Sequence, residues 1–213
     1  NLNFIIIDEI HTYRGVFGSH VANVIRRIKR ITDYYRTQPI FLMTSATISN
    51  PKEHAEALIE NDVVLIDTDT SARGKQTFLF YNPPIVDQEL GIRRSPIHET
   101  VKLSADLIQN NIQTLIFGRS RRIVELILSY LRKHLTEISA IPKSVIRGYR
   151  SGYLPVLRRE IENQLKSGEA VAVIGTNALE RGINITGLDA VVMMGYPGSI
   201  ASTIQQSGRA LSS

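Results

Sequence analysis

Two acidic residues, Asp8 and Glu9, directly follow the apolar run Phe4-Ile5-Ile6-Ile7. Four consecutive apolar residues, three of them β-branched, predict a strand buried on both faces, as in the centre of a parallel sheet. Both carboxylates then lie at the carboxyl end of that strand, where open α/β sheets bind their ligands. An Asp there can hold Mg²⁺, directly or through water, and a Glu can orient or deprotonate a water that attacks a phosphate. The alternative is that both residues simply cap the next helix.

A second short apolar run, residues 40–43, ends in the small polar stretch Thr44-Ser45-Ala46-Thr47. Hydroxyl groups at the end of a strand can hydrogen-bond a carboxylate or a histidine at the end of the neighbouring strand. These residues therefore predict a polar sheet edge that joins the ends of the two strands.

The segments around these strands predict a parallel α/β unit. Apolar residues recur at helical spacing over about residues 20–35, with Ser19 as the N-cap, and Asn50 followed by Pro51 begins a second helix. Residues 63–66 predict a third buried strand. Strands that alternate with helices are typical of right-handed parallel crossovers.

A polar stretch at residues 67–76 indicates a domain boundary, which divides the chain into domains 1–71 and 72–213. The apolar patterns of the second domain predict strands at 77–81, 114–117, 170–175 and 188–194, helices at 96–110, 123–134 and 155–166, and loops at 85–95 and 147–153.

The net charge of +5 is unevenly distributed. Residues 1–71 carry 7 Lys and Arg against 9 Asp and Glu, whereas residues 72–213 carry 18 against 11. A basic second domain fits a polyanion partner. The candidate phosphate contacts lie after the strand 114–117 and in the glycine-containing loop 147–153. They are Arg119, Ser120, Arg121, Arg147 and Arg150. Tyr149 and Tyr153 can either stack on bases or pack at the edge of the core.

Taken in order, these motifs resemble those of superfamily 2 helicases of the DEAD/DEAH type. Asp8-Glu9-Ile10-His11 resembles motif II, Ser45-Ala46-Thr47 motif III, the stretch 176–185 motif V, and Gln205-Gln206-Ser207-Gly208-Arg209-Ala210 motif VI. The stretch from Asp8 to His20 is most similar to the YprA-like DNA helicases. That bacterial branch is linked to the repair of cross-linked DNA and is related to a RecQ-like fungal family.

The resemblance implies an α/β fold of tandem RecA-like domains, with parallel sheets flanked by helices. Residues 1–71 would be the C-terminal part of the first domain, which is incomplete, and residues 72–213 the second. The first domain's N-terminal half, needed to bind ATP, would be missing, because no Walker A sequence G-x-x-x-x-G-K-[ST] occurs. We therefore expect the 213 residues to be a fragment that does not hydrolyse ATP efficiently by itself.

The resemblance also assigns roles to particular residues. The residues with catalytic roles are Asp8, as the Mg²⁺ site, Glu9, His11, Gln206 and Arg209. Ser45, Ala46 and Thr47 would couple ATP hydrolysis to movement on the nucleic acid. Gly182 and Asn184 would bind the nucleotide, and Thr176 and Asn177 would be among the residues that bind the nucleic acid. The sequence departs from the family pattern at Arg181, where an apolar residue is common, and at Asn184, where Asp is common. Ser212 stands where a second arginine is expected, so Leu211-Ser212-Ser213 marks either truncation or divergence.

The parent protein is accordingly predicted to be an ATP-dependent DNA helicase or translocase, moving 3′ to 5′, with single-stranded or tailed duplex DNA, or RNA, as partner. The competing class is a non-catalytic nucleic-acid-binding module with degenerate helicase motifs. A metal-dependent phosphatase or nuclease would need a two-metal cluster, which the sequence does not indicate. There is no Cys, no membrane-length apolar run and no signal-peptide pattern, so we expect a cytoplasmic protein without a membrane partner.

Overall fold

The structure is a computed structural model of the 213-residue chain. It describes residues 2–45, 48–68, 70, 75–139, 141–150, 152–176 and 188–210. The chain forms two compact units, Asn1–Ser71 and Ala72–Ser213. No helix among the described residues combines the length and the hydropathy that a membrane span requires.

The first unit contains two parallel strands and two helices. Its elements are β1 (Phe4–Ile7), a 3₁₀ turn (Ile10–Thr12), α1 (Gly15–Tyr34), β2 (Ile40–Met43) and α2 (Pro51–Ile59). Strand β1 pairs with β2 in register, with Phe4 opposite Ile40 and Ile7 opposite Met43. Both strands and both helices of this unit were expected from the sequence, and this register brings the two carboxyl ends together.

The expectation that β1 is buried on both faces is wrong. Ile5 and Ile7 pack in a core with residues of α1 and α2, but Phe4 and Ile6 on the opposite face are 55% and 69% exposed. Successive side chains of a strand point to opposite faces. In the described part of the chain, α1 and α2 cover only one of them.

Helix α1 begins at Gly15 rather than near Ser19, and Arg14 is its N-cap. The Ser19 hydroxyl donates to the Gly15 carbonyl at 3.1 Å, so it bonds back within the helix instead of capping it. The added turn brings Gly18 against Tyr13, where a built Cβ would lie 2.4 Å from the Tyr13 carbonyl oxygen. Only glycine fits at this close approach.

The second unit is a larger parallel α/β structure. Its elements are β3 (Ile85–Asp87), β4 (Ile92–Arg93), α3 (Pro96–Gln109), β5 (Thr114–Phe117), α4 (Arg121–Ser139), a 3₁₀ turn (Lys143–Val145), β6 (Ile146–Tyr149), α5 (Pro155–Lys166), β7 (Ala172–Gly175), β8 (Ala190–Met193) and α6 (Ile200–Ser207). Four strands form one sheet in the order β6-β7-β5-β8, and every neighbouring pair is parallel.

Helices cover both faces of this sheet, which explains its continuous apolar strands. On one face, α3 and α4 pack on residues such as Ile116, Ile146 and Ile174. On the other face, Ile161 and Leu165 of α5 pack against alternate strand residues. The β5 and β7 strands are buried throughout, as their sequences predict.

Four predicted segments differ from the structure. Residues 63–66 and 77–81 are not strands; Ile66 and Phe80 are 88% and 95% exposed, and neither segment pairs with a strand in the described residues. Residues 85–95, predicted as loop, contain the antiparallel pair β3 and β4. Residues 146–149 form β6 instead of belonging to a loop, since they pair with β7 over their whole length.

A buried carboxylate fixes the segment before α3 to that helix. Glu99 is only 7% exposed, and its Oε2 accepts a hydrogen bond from the Tyr81 hydroxyl while its Oε1 accepts one from Arg94 Nη1 at 3.1 Å. The Tyr81 hydrogen bond, and after it the Arg94 guanidinium, lower the pKa of Glu99 against the opposing effect of burial. The same carboxylate raises the pKa of Tyr81.

We predict that Glu99→Gln lowers the urea midpoint of unfolding at pH 7, because the two donors lose a charged acceptor. A carboxyl whose folded pKa is depressed stabilises the fold above its unfolded pKa, near 4.5, and this contribution is lost as pH falls through the folded pKa. The difference between wild type and variant should therefore shrink below pH 4.5. Urea unfolding between pH 3 and pH 7 measures it, with the exposed Glu89→Gln as control; a pH-independent difference would contradict this prediction.

Candidate functional site

The carboxyl end of β1 holds the Asp8 carboxylate in one orientation. Its Oδ1 accepts a hydrogen bond from the Glu9 backbone N–H at 2.8 Å and another from the Thr44 hydroxyl at the end of β2. The backbones of the two ends are also joined, since Ile10 N donates to the Thr44 carbonyl at 3.0 Å. Asp8 itself is exposed, so its carboxylate is fixed but accessible.

The backbone turns sharply at Glu9, which has a φ of 54° and a ψ of 46°. This left-handed conformation is uncommon outside glycine and concentrates at functional sites. Glu9 Oε2 lies 3.2 Å from His11 Nδ1, and Ser45 Oγ lies 3.5 Å from the same nitrogen. The His11 side chain is 13% exposed and that of Glu9 49%.

These contacts confirm that hydroxyl groups at the end of β2 reach the carboxylate and the histidine at the end of β1. The helix-cap alternative is wrong for Asp8 and Glu9. Helix α1 begins only at Gly15, and the Glu9 side chain makes no capping hydrogen bond to the intervening 3₁₀ turn. The polar groups of the edge are therefore turned toward one another and toward solvent.

One contributor to this edge was missed in the sequence. His54 of α2 has its Nε2 2.9 Å from the Ile10 carbonyl oxygen, so the first helix turn after β2 supports the backbone between Glu9 and His11. In the sequence, His54 lies four residues after Asn50 and on the helix face of Ala55 and Leu58, and this position only weakly indicates a contact with the sheet edge. The contact depends on how α2 packs, which spacing alone does not reveal.

The second unit has its own polar edge, at the carboxyl ends of β5, β6 and β7. Arg119 and Ser120 follow β5, Arg150 follows β6, and Thr176 follows β7. The Ser120 hydroxyl accepts from Ile123 N at 3.3 Å and so caps the start of α4. Parallel strands end at the same edge, and this brings the four residues to one side of the sheet. Arg121, predicted with them, is the exposed first residue of α4.

Arg147 does not lie at that edge. It belongs to β6, and its guanidinium donates to Gln164 Oε1 at 2.7 Å and to Glu160 Oε1 at 2.9 Å, both on α5. Arg150 pairs with Glu125 of α4 at 3.1 Å and lies over the Tyr153 ring, 4.9 Å from its centroid. A role of Arg147 in nucleic-acid binding stays a prediction.

The tyrosines of this region are packing residues. Tyr149 is 3% exposed and belongs to the core under α5, and its hydroxyl donates to Glu162 Oε1 at 3.2 Å. Burial, and after it the Glu162 carboxylate, raise the pKa of Tyr149. Tyr153 packs against the same core and beneath Arg150. Of the two alternatives, the structure supports packing at the core edge.

The last predicted motif lies on and after α6. Ser199 caps this helix by accepting from Ser202 N at 3.0 Å, and Gln206 is 1% exposed. Arg209 follows the helix, and the next residue, Ala210, forms an isolated bridge with Leu188, two residues before β8. The chain around Arg209 is therefore fixed on both sides. Five residues predicted to belong to the site lie outside the described residues: Ala46, Thr47, Asn177, Gly182 and Asn184.

Known families and proteins match the chain along almost its whole length. The DEAD/DEAH box helicase family matches residues 1–54, and the helicase conserved C-terminal domain family matches residues 98–213. The uncharacterized ATP-dependent helicase YprA of Bacillus subtilis is 52% identical over 210 residues, 99% of this chain and 28% of that protein. The ATP-dependent helicase HRQ1 of Saccharomyces cerevisiae is 41% identical over 214 residues, 99% of this chain and 20% of that protein.

A solved structure shares this fold closely. The crystal structure of the DUF1998 helicase MrfA bound to DNA superimposes with a TM-score of 0.92 at 53% identity, covering 99% of this chain and 28% of that one. The parallel sheets and their polar carboxyl edges thus define the class of RecA-like α/β helicase domains. The chain belongs to the helicase conserved C-terminal domain family and is similar to the helicases YprA and HRQ1. It spans 28% and 20% of the length of those two relatives.

Proposed function

We propose that the protein containing this chain is an ATP-dependent DNA helicase or translocase that moves 3′ to 5′ and acts in DNA repair. Two relatives are named ATP-dependent helicases, and a similar solved helicase is bound to DNA. The observation that carries the proposal is the hydrogen-bonded edge of β1 and β2, where the Asp8 and Thr44 side chains meet and Glu9 faces His11. On this proposal, residues 1–71 are the C-terminal part of RecA-like domain 1, and 72–213 are RecA-like domain 2.

The residues at the first edge fit ATP as substrate with Mg²⁺. Mg²⁺ prefers oxygen ligands, keeps several waters and needs only one or two carboxylates besides substrate phosphates. Asp8 supplies one exposed, oriented carboxylate, and the described residues contain no cluster of three acidic or histidine ligands. When bound, Mg²⁺ neutralises charge on the terminal phosphates. Asp8 would hold the ion through water.

Glu9 would orient the attacking water and accept its proton, and His11 would position the Glu9 carboxylate. Because Glu9 Oε2 and Ser45 Oγ both face His11 Nδ1, a change at the nucleotide can be passed to the end of β2. Ser45, Ala46 and Thr47 would then couple hydrolysis to movement on the nucleic acid. This assignment extends the family pattern to the contacts that surround His11.

Residues of the second unit would also contact the nucleotide and the nucleic acid. Arg209 would contact the γ-phosphate, Gln206 would act beside it, and Gly182 and Asn184 would contact the nucleotide. The nucleic-acid backbone would be held by phosphate contacts from the second unit, which position a strand without reading its sequence. These contacts would come from Arg119, Ser120, Arg121, Arg147, Arg150, Thr176 and Asn177.

We predict that Arg119→Ala with Arg150→Ala weakens single-stranded DNA binding and lowers the slope of log affinity against log salt by about 1.4. Each phosphate contact to a single strand contributes roughly 0.7 to that slope. Arg147→Ala should change the slope less, because the described contacts of Arg147 are to Glu160 and Gln164. Fluorescence anisotropy between about 50 and about 200 mM salt measures the slopes. An unchanged slope in the double variant would contradict the assignment.

The function is tested by strand separation. The chain contains no Walker A sequence, so the assay uses protein in which it is joined to a segment that carries one. Duplexes with a single-stranded tail at the 3′ or the 5′ end, and their RNA counterparts, report polarity and preference. ATP-dependent unwinding of the 3′-tailed DNA is expected. Binding without ATP hydrolysis or unwinding would instead establish a non-catalytic binding module, which Asn184 and Ser212 would then explain.

A further inference from the structure

We propose that a groove between α3 and α4 is a second binding surface for single-stranded nucleic acid, separate from the polar edge of the sheet. The α3–α4 groove is a shallow depression of about 290 Å³. Its basic and aromatic lining residues are His98, Lys102, Tyr130, Lys133 and His134, and the buried Val101 and the acidic Glu137 complete the lining. The inference rests on the proposed function only in its choice of nucleic acid as ligand.

The groove lies on a single stripe of α4 that the core does not use. Residues 130, 133, 134 and 137 are spaced by three or four, so they share one helix face. The residues of α4 that are buried against the sheet occupy a different face; they are Val124, Ile127, Leu128, Leu131 and Leu135. On α3, residues 98 and 102 are four apart and complete the opposite wall. The stripe is therefore left to solvent by the fold itself.

An exposed aromatic ring at the groove favours a single strand over other anions. Tyr130 is 41% exposed and makes an edge contact with the His98 ring, with centroids 5.7 Å apart at 65°. Every base has a π-face, so an exposed ring flanked by cations can stack a base while the cations contact the adjoining phosphates. An acidic peptide would use the lysines but has no need of the ring.

The positive charge continues along α4 beyond the first depression. A second depression of about 460 Å³ shares Lys133 and adds Arg132 and Lys143. The acidic residues that line the two depressions are Glu137 and Glu125. Glu137 lies 4.0 Å from Lys133, and Glu125 is paired with Arg150 at 3.1 Å. Because an arginine outside the lining engages Glu125, this carboxylate opposes an incoming phosphate less than its position suggests.

The test measures binding of labelled oligothymidylate to the full 213-residue chain by anisotropy at several salt concentrations. Lys102→Gln with Lys133→Gln should lower the salt slope by about 1.4, since each contact to a single strand contributes roughly 0.7. Tyr130→Ala should weaken binding at least about fivefold through lost stacking, whereas Tyr130→Phe, which keeps the ring, should not. Replacing the bases by abasic residues should abolish the difference between these two tyrosine variants.

The matched control is Arg159→Gln with Lys166→Gln, which removes two exposed charges from α5 on the opposite face of the sheet. The proposal is overturned if the wild-type chain binds no oligonucleotide, if the control lowers the slope as much as the groove variant, or if Tyr130→Ala binds like Tyr130→Phe. It is also overturned if polyglutamate of equal charge competes equally well regardless of Tyr130. The proposed function fails separately, by absence of ATP hydrolysis and unwinding, which binding to the groove does not require.

Discussion

Glu9→Gln is expected to lower the kcat of DNA-stimulated ATP hydrolysis by about 10²- to 10⁴-fold, the range of a general base, while the KM for ATP changes little. The glutamine keeps the size of the side chain but cannot accept a proton from water. The turn at Glu9, with φ at 54°, belongs to the backbone and is tolerated by glutamine as by glutamate. The rate is measured in protein that joins this chain to a Walker A segment.

Two comparisons make the Glu9 result specific. Glu53→Gln removes an exposed carboxylate from the first turn of α2 in the same unit and should leave kcat unchanged. His11→Ala should lower kcat less than Glu9→Gln, because His11 acts through the position of Glu9 Oε2, 3.2 Å away. If Glu9→Gln retains the wild-type rate, Glu9 is not the base. If the wild type has no rate to lose, the non-catalytic module is the better description.

The sequence predicts those elements that are completely buried and whose own residues are apolar throughout. Strands β5 and β7 are apolar throughout and buried throughout, and the edge residues that follow them could be placed from the order of elements alone. The same holds for the meeting of Thr44 with Asp8, since a parallel pair in register must bring its two carboxyl ends together. Topology, rather than long-range side-chain packing, decides these features.

Segments whose secondary structure depends on pairing with another strand could not be predicted in this way. Residues 63–66 and 77–81 have apolar strand patterns, but a strand also needs a partner for its backbone, and no described strand pairs with them. Arg147 shows the converse case. Its glycine- and arginine-rich surroundings indicated a loop, yet pairing of β6 with β7 makes it a strand residue. The ion pair with Glu160 then follows from the packing of α5 on that strand.

The sequence predicted which residues belong to the candidate site better than it predicted the contacts between them. Asp8 and Glu9 were identified by their position after an apolar run and His11 by the family resemblance, but the orientation of their side chains depends on groups that the spacing does not indicate. The His54 contact with the Ile10 carbonyl, at 2.9 Å, requires α2 to cross the end of β1. The Asp8 carboxylate is thus held by a hydroxyl group of the neighbouring strand end, the Glu9 carboxylate faces the His11 imidazole, and His54 of the following helix holds the backbone between Glu9 and His11.

Arg209→Ala is expected to have the largest effect, a fall in kcat of about 10³- to 10⁵-fold, because an arginine that reaches the γ-phosphate stabilises charge that develops in the transition state. The structure supports a fixed position for this residue. Gln206, 1% exposed, anchors the end of α6, and Ala210 on the other side of Arg209 bridges Leu188. Substitution at Arg209 should therefore leave the surrounding backbone intact, and the affinity for ATP should change much less than kcat.

Arg209→Lys keeps the charge but loses the planar group that binds two phosphate oxygens at once, so it should recover only a small part of the rate. The exposed Arg159 of α5 provides the matched control, and Arg159→Ala should hydrolyse ATP at the wild-type rate. Single-turnover hydrolysis separates the chemical step from product release, and a fluorescent nucleotide analogue reports binding. If Arg209→Ala weakens nucleotide binding but keeps the single-turnover rate, Arg209 stabilises the bound nucleotide and not the transition state. If Arg209→Lys matches the wild type, positive charge is sufficient, and the two-oxygen contact is not what lowers the barrier.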